Sequence, residues 1–177
     1  MPTILLATER DIEAIAALHV ASWKSAYRGI VPDEVLDRLT TEARVRDWTE
    51  WLATPDARTF VASERRSLVG FARVIPIAPG VDCDPDTGAI SHLYVAPDSQ
   101  RTGVGGALLT RALDDIRERG FERAVLWVLE KNYRARAFYE RAGFRLDGAR
   151  PADLDLLGSD APEVRYQLIV RERPRPR

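Results

Sequence analysis

The sequence predicts a single mixed α/β domain, and three observations carry that expectation. Its hydrophobic period switches repeatedly between strand-like alternation and the three- and four-residue steps of a helix. Its centre reads strand, Gly-rich turn, helix, strand, a crossover that puts two parallel strands in one sheet with the helix on a face. No internal repeat and no linker divides the 177 residues, a length suited to one core. The expected boundaries are a domain over residues 1–172 and a flexible tail over 173–177.

Residues 2–6 read as a first strand, and Thr8 with Asp11 three residues on resembles a capping box opening a helix. In that helix Ile12, Ile15, Ala16, Leu18, His19, Ser22, Trp23 and Tyr27 share a face that mixes apolar and polar groups, and Gly29 with Pro32 closes it. Pro32 and Asp33 start a second helix with the stripe Val35, Leu36, Leu39, and a third runs through Val45, Trp48 and Leu52. Phe60 to Ser63 and Leu68 to Ile75 form a hairpin pattern around a polar turn, followed by a Pro-, Asp- and Gly-rich loop from Pro76 to Gly88. Ala89 to Val95 is the next strand. A helix from Gly103 to Arg119 carries Val104, Ala107, Leu108, Ala112, Leu113 and Ile116 on one side, with Gly120 its terminator. Strand Ala124 to Leu129, a short helix over Arg134 to Arg141 ending at Gly143, strand Phe144 to Leu146, and the alternating Val164, Tyr166, Leu168, Val170 complete the chain.

Composition narrows the function. With 45% hydrophobic and 30% charged residues the chain is an ordinary globular protein, and 26 basic against 27 acidic residues leave a net charge of −1. No global field attracts nucleic acid or an anionic membrane, so neither is expected as a partner. Only Lys24 and Lys131 are lysines; the other basic residues are arginines, a compositional bias without function. Cys83 is the one cysteine, which excludes an intramolecular disulfide and a cysteine-based zinc site and suits a reducing cytoplasm. No apolar run reaches the roughly 18 residues that cross a bilayer, and no targeting signal is expected. Two histidines without clustered partners give no metal site.

The most informative segment is Gln100-Arg101-Thr102-Gly103-Val104-Gly105-Gly106-Ala107, between a strand and an amphipathic helix. Glycines let main-chain N–H groups close on a ligand, and the helix N-terminus adds unpaired donors, an arrangement suited to a phosphate or pyrophosphate. The alternative is a tight turn with close helix packing. A Walker loop is excluded because Gly106-Ala107 stands where Gly-Lys-Ser or Gly-Lys-Thr is needed. The dinucleotide fingerprint fails because Gly103 and Gly105 are followed by Leu108 where its third glycine belongs.

The loop resembles the acyl-coenzyme A signature of the GNAT N-acetyltransferase superfamily. The resemblance extends through Leu93-Tyr94-Val95-Ala96-Pro97 before it, and Leu126-Trp127-Val128-Leu129, Asn132, Ala135, Phe138-Tyr139-Glu140 and Gly143-Phe144 after it. Leu18-His19, Ser22-Trp23 and Tyr27-Arg28-Gly29 also resemble a bacterial branch of that superfamily, so nearly the whole chain is covered. The resemblance implies a twisted mixed sheet of six to seven strands in which Ala89–Val95 and Ala124–Leu129 splay apart to admit acetyl-CoA. It implies that main-chain donors of Arg101, Thr102, Gly103, Val104, Gly105 and Gly106, with Gln100, hold the pyrophosphate, and that the edge of Leu93, Tyr94 and Val95 pairs with the pantetheine arm. The Val95 N–H then faces the thioester carbonyl. Asn132, Ala135 and Phe138 line the same groove, and Tyr139 matches the family's acid.

The base is open among three routes, since an amine with pKa near 10 must lose a proton before attack. His92 lies on the central strand, but alternation puts it opposite Ser91, Leu93 and Val95, a parity that a bulge would change. His19 lies on the first helix beside Trp23 and Tyr27. Glu130, just past the second splayed strand, acts through a water, and a water relay is preferred to a direct base. The resemblance places acceptor selection in residues 19–52 and 147–163; the rings of Trp23, Tyr27, Trp48 and Trp51, with the acids Asp153, Asp155 and Asp160 and those of the earlier loop, Asp82, Asp84 and Asp86, suit a cationic amine. His19, Trp23, Tyr27 and Trp127 are the acceptor-site candidates. The expected function is transfer of an acetyl group from acetyl-CoA to a primary amine of a small molecule or peptide in a ternary complex. The alternative is a non-catalytic acyl-CoA sensor. The final strand offers an edge for pairing with a second copy.

Overall fold

The computed structural model describes residues 2–77, 86–149 and 161–171. Cys83, Asp82, Asp84, Asp153, Asp155, Asp160 and the tail from Arg173 lie outside the described residues. The strands are β1 (Thr3–Leu6), β2 (Arg58–Glu64), β3 (Ser67–Pro76), β4 (Thr87–Val95), β5 (Arg123–Leu129), β6 (Arg145–Leu146) and β7 (Glu163–Ile169). The helices are α1 (Ile12–Ala26), α2 (Asp33–Asp37), α3 (Thr41–Leu52), α4 (Val104–Glu118) and α5 (Tyr133–Arg141). One seven-stranded sheet has the order β1-β2-β3-β4-β5-β7-β6. The β4–β5 pair is parallel and the others are antiparallel, as the central crossover requires.

The Thr8–Asp11 box forms, with the Thr8 N–H donating to Asp11 Oδ2 at 2.8 Å, but it opens a single tight turn before α1 begins. Helix α4 packs its apolar stripe, Leu108, Ala112 and Ile116, against Ala72, Val74, Ile90 and Leu126 on one face of the sheet. Helices α1 and α3 cover the other face, where Ile15, Ala16 and Trp48 meet Val61 and Phe71. β3 is therefore buried on both sides and reads as an almost continuous apolar run rather than an alternating one. Gly70 is required there, because a Cβ would lie 2.9 Å from both Leu108 Cδ1 and the Tyr94 carbonyl oxygen. A third cluster, Val31, Leu36 and Leu129 with Trp23, Tyr27 and Ile30 against it, fastens the end of α1 and α2 over the end of β5.

β3 and β4 extend beyond their expected ends to Pro76 and back to Thr87, because antiparallel pairing to one another carries them into the loop composition. A bulge interrupts that pairing: Arg73 faces His92 and Val74 faces Ile90, leaving Ser91 without a partner. The extra residue changes the alternation, so Ile90 packs on the α4 side while His92 joins Tyr94 on the α1–α3 side. Among the described residues no helix is long and apolar enough to cross a membrane, and no group of three His, Cys, Asp or Glu side chains is placed to hold a metal ion.

Candidate active site

β4 and β5 pair only at Thr87–Arg123, Gly88–Ala124 and Ala89–Val125, and beyond Ala89 they part. β5 stays paired with β7 along its whole length from Arg123 to Leu129, so the gap opens on the β4 side. The Ser91 bulge lies just past the last shared pair, where a change of strand direction is cheapest. The gap is part of a groove of about 740 Å³ walled by Leu93, Tyr94 and Val95 on one side and Leu126, Trp127 and Val128 on the other. The Ala96 N–H donates to the Val69 carbonyl at 2.9 Å, across β3. Main-chain groups alternate sides along a strand, so the N–H groups of Val95 and Leu93 face the gap. Ser22 Oγ, from α1, approaches the Val95 carbonyl oxygen at 3.5 Å on that open side.

One end of the groove is the Gln100–Gly106 loop. Arg101 (φ 65°) and Gly103 (φ 95°) hold left-handed backbone, a conformation only glycine adopts without strain. α4 then starts at Val104, and its first return bond runs from the Ala107 N–H to the Gly103 carbonyl at 3.0 Å. The N–H groups of Val104, Gly105 and Gly106 precede that bond and have no acceptor within the helix. A Cβ on Gly105 would sit 3.5 Å from Val95 and 3.7 Å from Phe138, and one on Gly106 would meet nothing within 4 Å. The cradle is open, electropositive by its dipole, and fits a pyrophosphate. Gln100, Arg101, Gly103, Gly105 and Gly106 line it; the Val104 side chain is wholly buried in the core, and the Thr102 hydroxyl turns to the Ser99 carbonyl at 2.6 Å.

Helix α5 forms the opposite flank. Asn132 caps it, its Oδ1 accepting the Ala135 N–H at 3.1 Å. Asn132, Ala135, Phe138 and Tyr139 all line the groove. Tyr139 is buried against Phe138 and Phe144, with ring centres 5.1 and 5.8 Å away. Burial, with a smaller push from Tyr27, raises its phenol above the ordinary value. Two more phenols gather nearby. Tyr94 Oη accepts the Trp23 indole N–H at 2.8 Å and lies 3.0 Å from Tyr27 Oη, and burial raises both. Tyr27 and Trp127 line the groove. Trp23 stands behind them and orients Tyr94.

The histidines are placed differently from each other. His19 is fully buried, and its Nδ1 accepts the Trp48 indole N–H at 3.1 Å. Burial, reinforced by His92 and Arg44, depresses its pKa to about 2. His92 touches the groove's margin, with its ring 5.1 Å from that of Trp51 and Nδ1 3.0 Å from Ser91 Oγ. Burial and Arg73 hold it at about 3. Both imidazoles are neutral at physiological pH and too weakly basic to keep a proton taken from an amine. The Glu130 side chain is exposed, while its main chain is fixed by bonds to the Pro162 carbonyl (2.7 Å) and from Arg136 (2.9 Å).

The structure also brings in a residue that the sequence reading passes over. Glu163, the first residue of β7, sits across from Leu129, half-buried, and burial raises its carboxyl to about 7. No motif marks it. A charged residue opening a strand after an acidic loop looks like any solvated carboxylate.

A model described as the Acetyltransferase (GNAT) family matches residues 15–144. The chain belongs to the GNAT acetyltransferase family. This acetyltransferase is similar to a protein described as a probable N-acetyltransferase of Mycobacterium tuberculosis, with 30% identity over 93% of this chain and 91% of that protein. In fold it is similar to the PaiA N-acetyltransferase of Thermoplasma acidophilum, solved in complex with coenzyme A, at a TM-score of 0.75 and 20% identity over 96% of this chain and 99% of that one. It is also similar to yncA of Salmonella typhimurium, solved with its cofactor acetyl-CoA, at a TM-score of 0.72 and 20% identity over 100% and 98% of the two chains. The GNAT fold and N-acetyltransferase class expected from the sequence agree with these matches, and none of them supports a non-catalytic role.

Proposed function

We propose that this acetyltransferase moves an acetyl group from acetyl-CoA to the primary amine of a small molecule or peptide in a ternary complex, in a reducing cytoplasm. One observation carries the reading: a single groove, opened where β4 and β5 part beyond Ala89, is lined both by the glycine loop at the start of α4 and by Tyr139.

Acetyl-CoA, when bound, supplies an acyl group activated as its thioester. The chain's own residues do the rest. Main-chain donors over Arg101–Gly106 receive the pyrophosphate, and the free edge of Leu93 and Val95 offers N–H and C=O groups to the amides of the arm as another strand would. Phe138 and Ala135 supply apolar contact along it. The Val95 N–H faces the gap and is placed to donate to the thioester carbonyl oxygen, where negative charge grows as the amine attacks. Tyr139 holds its proton at every ordinary pH because burial disfavours the phenolate, so its hydroxyl is available to donate to the departing sulfur, and the transfer is completed only as the phenol is reprotonated from the nitrogen that becomes the amide. Tyr27 and Trp127 wall the end where the amine enters. Glu130 reaches that end only through water, as its exposure dictates.

The experiment has two parts. CoA and acetyl-CoA should raise the unfolding midpoint and NAD should not, since a ligand of the native state stabilises it by mass action. Tyr139→Phe should slow thiol release by about 100-fold, the usual scale of a lost general acid, and leave the CoA-induced shift intact. No shift at millimolar CoA overturns the groove assignment; an unimpaired Tyr139→Phe overturns the acid.

A further inference from the structure

The acceptor must lose a proton before it attacks, and the route to Glu130 runs only through water. His19 and His92 are held too acidic by burial, and Glu130 is exposed. A different carboxylate, Glu163, does not itself line the groove but stands within electrostatic reach of Tyr27, which does. Glu163 pairs with Leu129 across the β5–β7 ladder, and directly opposed residues of such a pair project to one face. Leu129 packs with Val31 and Leu36, and Tyr27 packs against that cluster, so the face is the one under α1 and α2. Trp127, two residues before Leu129, shares it and walls the groove.

Glu163 Oε2 is closed off from solvent and has no hydrogen-bond partner among the described residues. Its charge is felt at the phenol of Tyr27. Of the cations on the surrounding elements, Arg165 donates to Asp147 at 2.6 Å, Arg28 pairs with Asp33 at 3.1 Å and Arg136 donates to the Tyr166 hydroxyl at 3.0 Å, while Lys131 lines the groove and adds nothing to the rise of the Glu163 carboxyl, which burial alone produces. Other titratable groups on the elements around it include Lys24 of α1, Tyr27 that caps it, Asp33, Glu34 and Asp37 of α2, His92 and Tyr94 of β4, Tyr139 of α5, and Glu130 and Lys131 after β5; of these, Tyr27 is the one that feels its charge. A carboxylate deprived of water and counter-charge is disfavoured, and a cation delivered to that spot removes the penalty.

We infer that Glu163 receives the acceptor's ammonium group and takes its proton, which makes the acceptor a cationic primary amine and Glu163 a catalytic residue. The inference rests on the acetyltransferase reading above. The ammonium N–H bond breaks and the proton passes to the Glu163 carboxylate. The freed lone pair forms the C–N bond to the acetyl carbon, and the C–S bond breaks. Tyr139 protonates the departing thiolate and regains a proton from the nitrogen as it becomes an amide; Glu163 gives up its own to water that enters once the product has left. Burial holds the carboxyl at about 7, where it can both accept and release a proton near neutral pH.

The test compares the parent with Glu163→Gln and Glu163→Asp, with putrescine, benzylamine and alanine amide as probe amines and thiol release followed across neutral pH. The CoA-induced midpoint shift is measured for all three proteins, and an equal shift shows that the variants fold and hold the co-substrate. The parent should show kcat/KM rising through an apparent pKa near 7. Glu163→Gln should lose about 100-fold in kcat/KM together with that limb, and Glu163→Asp should keep the limb at reduced rate. With the CoA shift intact, a Glu163→Gln protein that keeps the parent's rate and pH profile overturns the role of Glu163. A parent that binds CoA but turns over none of the amines overturns the acceptor class. A parent without a CoA shift overturns the acetyltransferase reading itself, a separate failure.

Discussion

The Glu163 carboxyl also predicts how stability depends on pH, whatever the acceptor. Burial lifts its pKa from the ordinary 4.5 to about 7 in the folded protein, whereas the unfolded chain titrates near the ordinary value. Below about pH 4.5 both states hold the proton and the group contributes its full stability. Between there and about pH 7 the unfolded chain releases its proton and the folded one keeps it, so stability falls with each step; above about pH 7 both are ionised and the loss is constant. A shift of this size corresponds to about 3 kcal/mol at most, and to about 1–2 kcal/mol once solvent reaching the half-buried side chain is allowed for. Glu163→Gln removes the proton linkage. Its amide adds a fixed offset, which cancels when parent and variant are compared at several pH values. Urea unfolding from about pH 5 to about pH 8.5 should show the variant gaining about 1–2 kcal/mol on the parent as pH rises. A difference that stays flat, or moves the other way, means the carboxyl is solvated or has a cationic partner, and the electrostatic reasoning behind both predictions fails.

Other perturbations follow from the same structure. Gly103→Ala meets no steric obstacle, but at φ 95° it strains the turn; we expect about 1 kcal/mol of destabilisation in urea and a smaller CoA-induced midpoint shift as the cradle reorients. Trp48→Phe removes the N–H that satisfies His19 Nδ1 in a fully buried cluster; a loss of about 1–3 kcal/mol is expected from the orphaned nitrogen alone, and an unchanged urea midpoint would contradict it. The two depressed histidines act oppositely to Glu163. The folded protein keeps them neutral while the unfolded chain protonates them below about pH 6.5, so stability is present above that value and lost as pH falls. Glu163→Gln isolates this effect, and its unfolding free energy should drop steadily from about pH 7 to about pH 5; a level profile there would mean that the rings are hydrated.

Much of the site is written in local sequence. The glycine loop sits where a strand gives way to an amphipathic helix, and turn and helix-start preferences depend on neighbouring residues alone. Asn132 and Tyr139 lie seven residues apart on one short helix, a spacing of about two turns that puts both in the groove wherever the helix docks. The order of strands and helices follows from period, and so does the central crossover.

Other features depend on contacts between distant segments. The splay of β4 from β5 needs β7 to hold one strand and β3 the other, and the Ser91 bulge that reorients His92 exists only in its pairing with β3. His19, on a helix face that reads as half polar, is buried because Trp48 arrives from α3 to bond it. Trp23 and Tyr27 meet Tyr94 across about seventy residues of chain. Glu130 and Glu163 look alike in the sequence, each an acid beside a strand end. The turn into α5 leaves one in water, and pairing with β5 draws the other under α1 and α2. Residue type and period are set by neighbours along the chain, so the sequence by itself determined the elements, the loop and the family; burial and charge environment are set by neighbours in space, so only the tertiary structure decided which carboxylate is short of water.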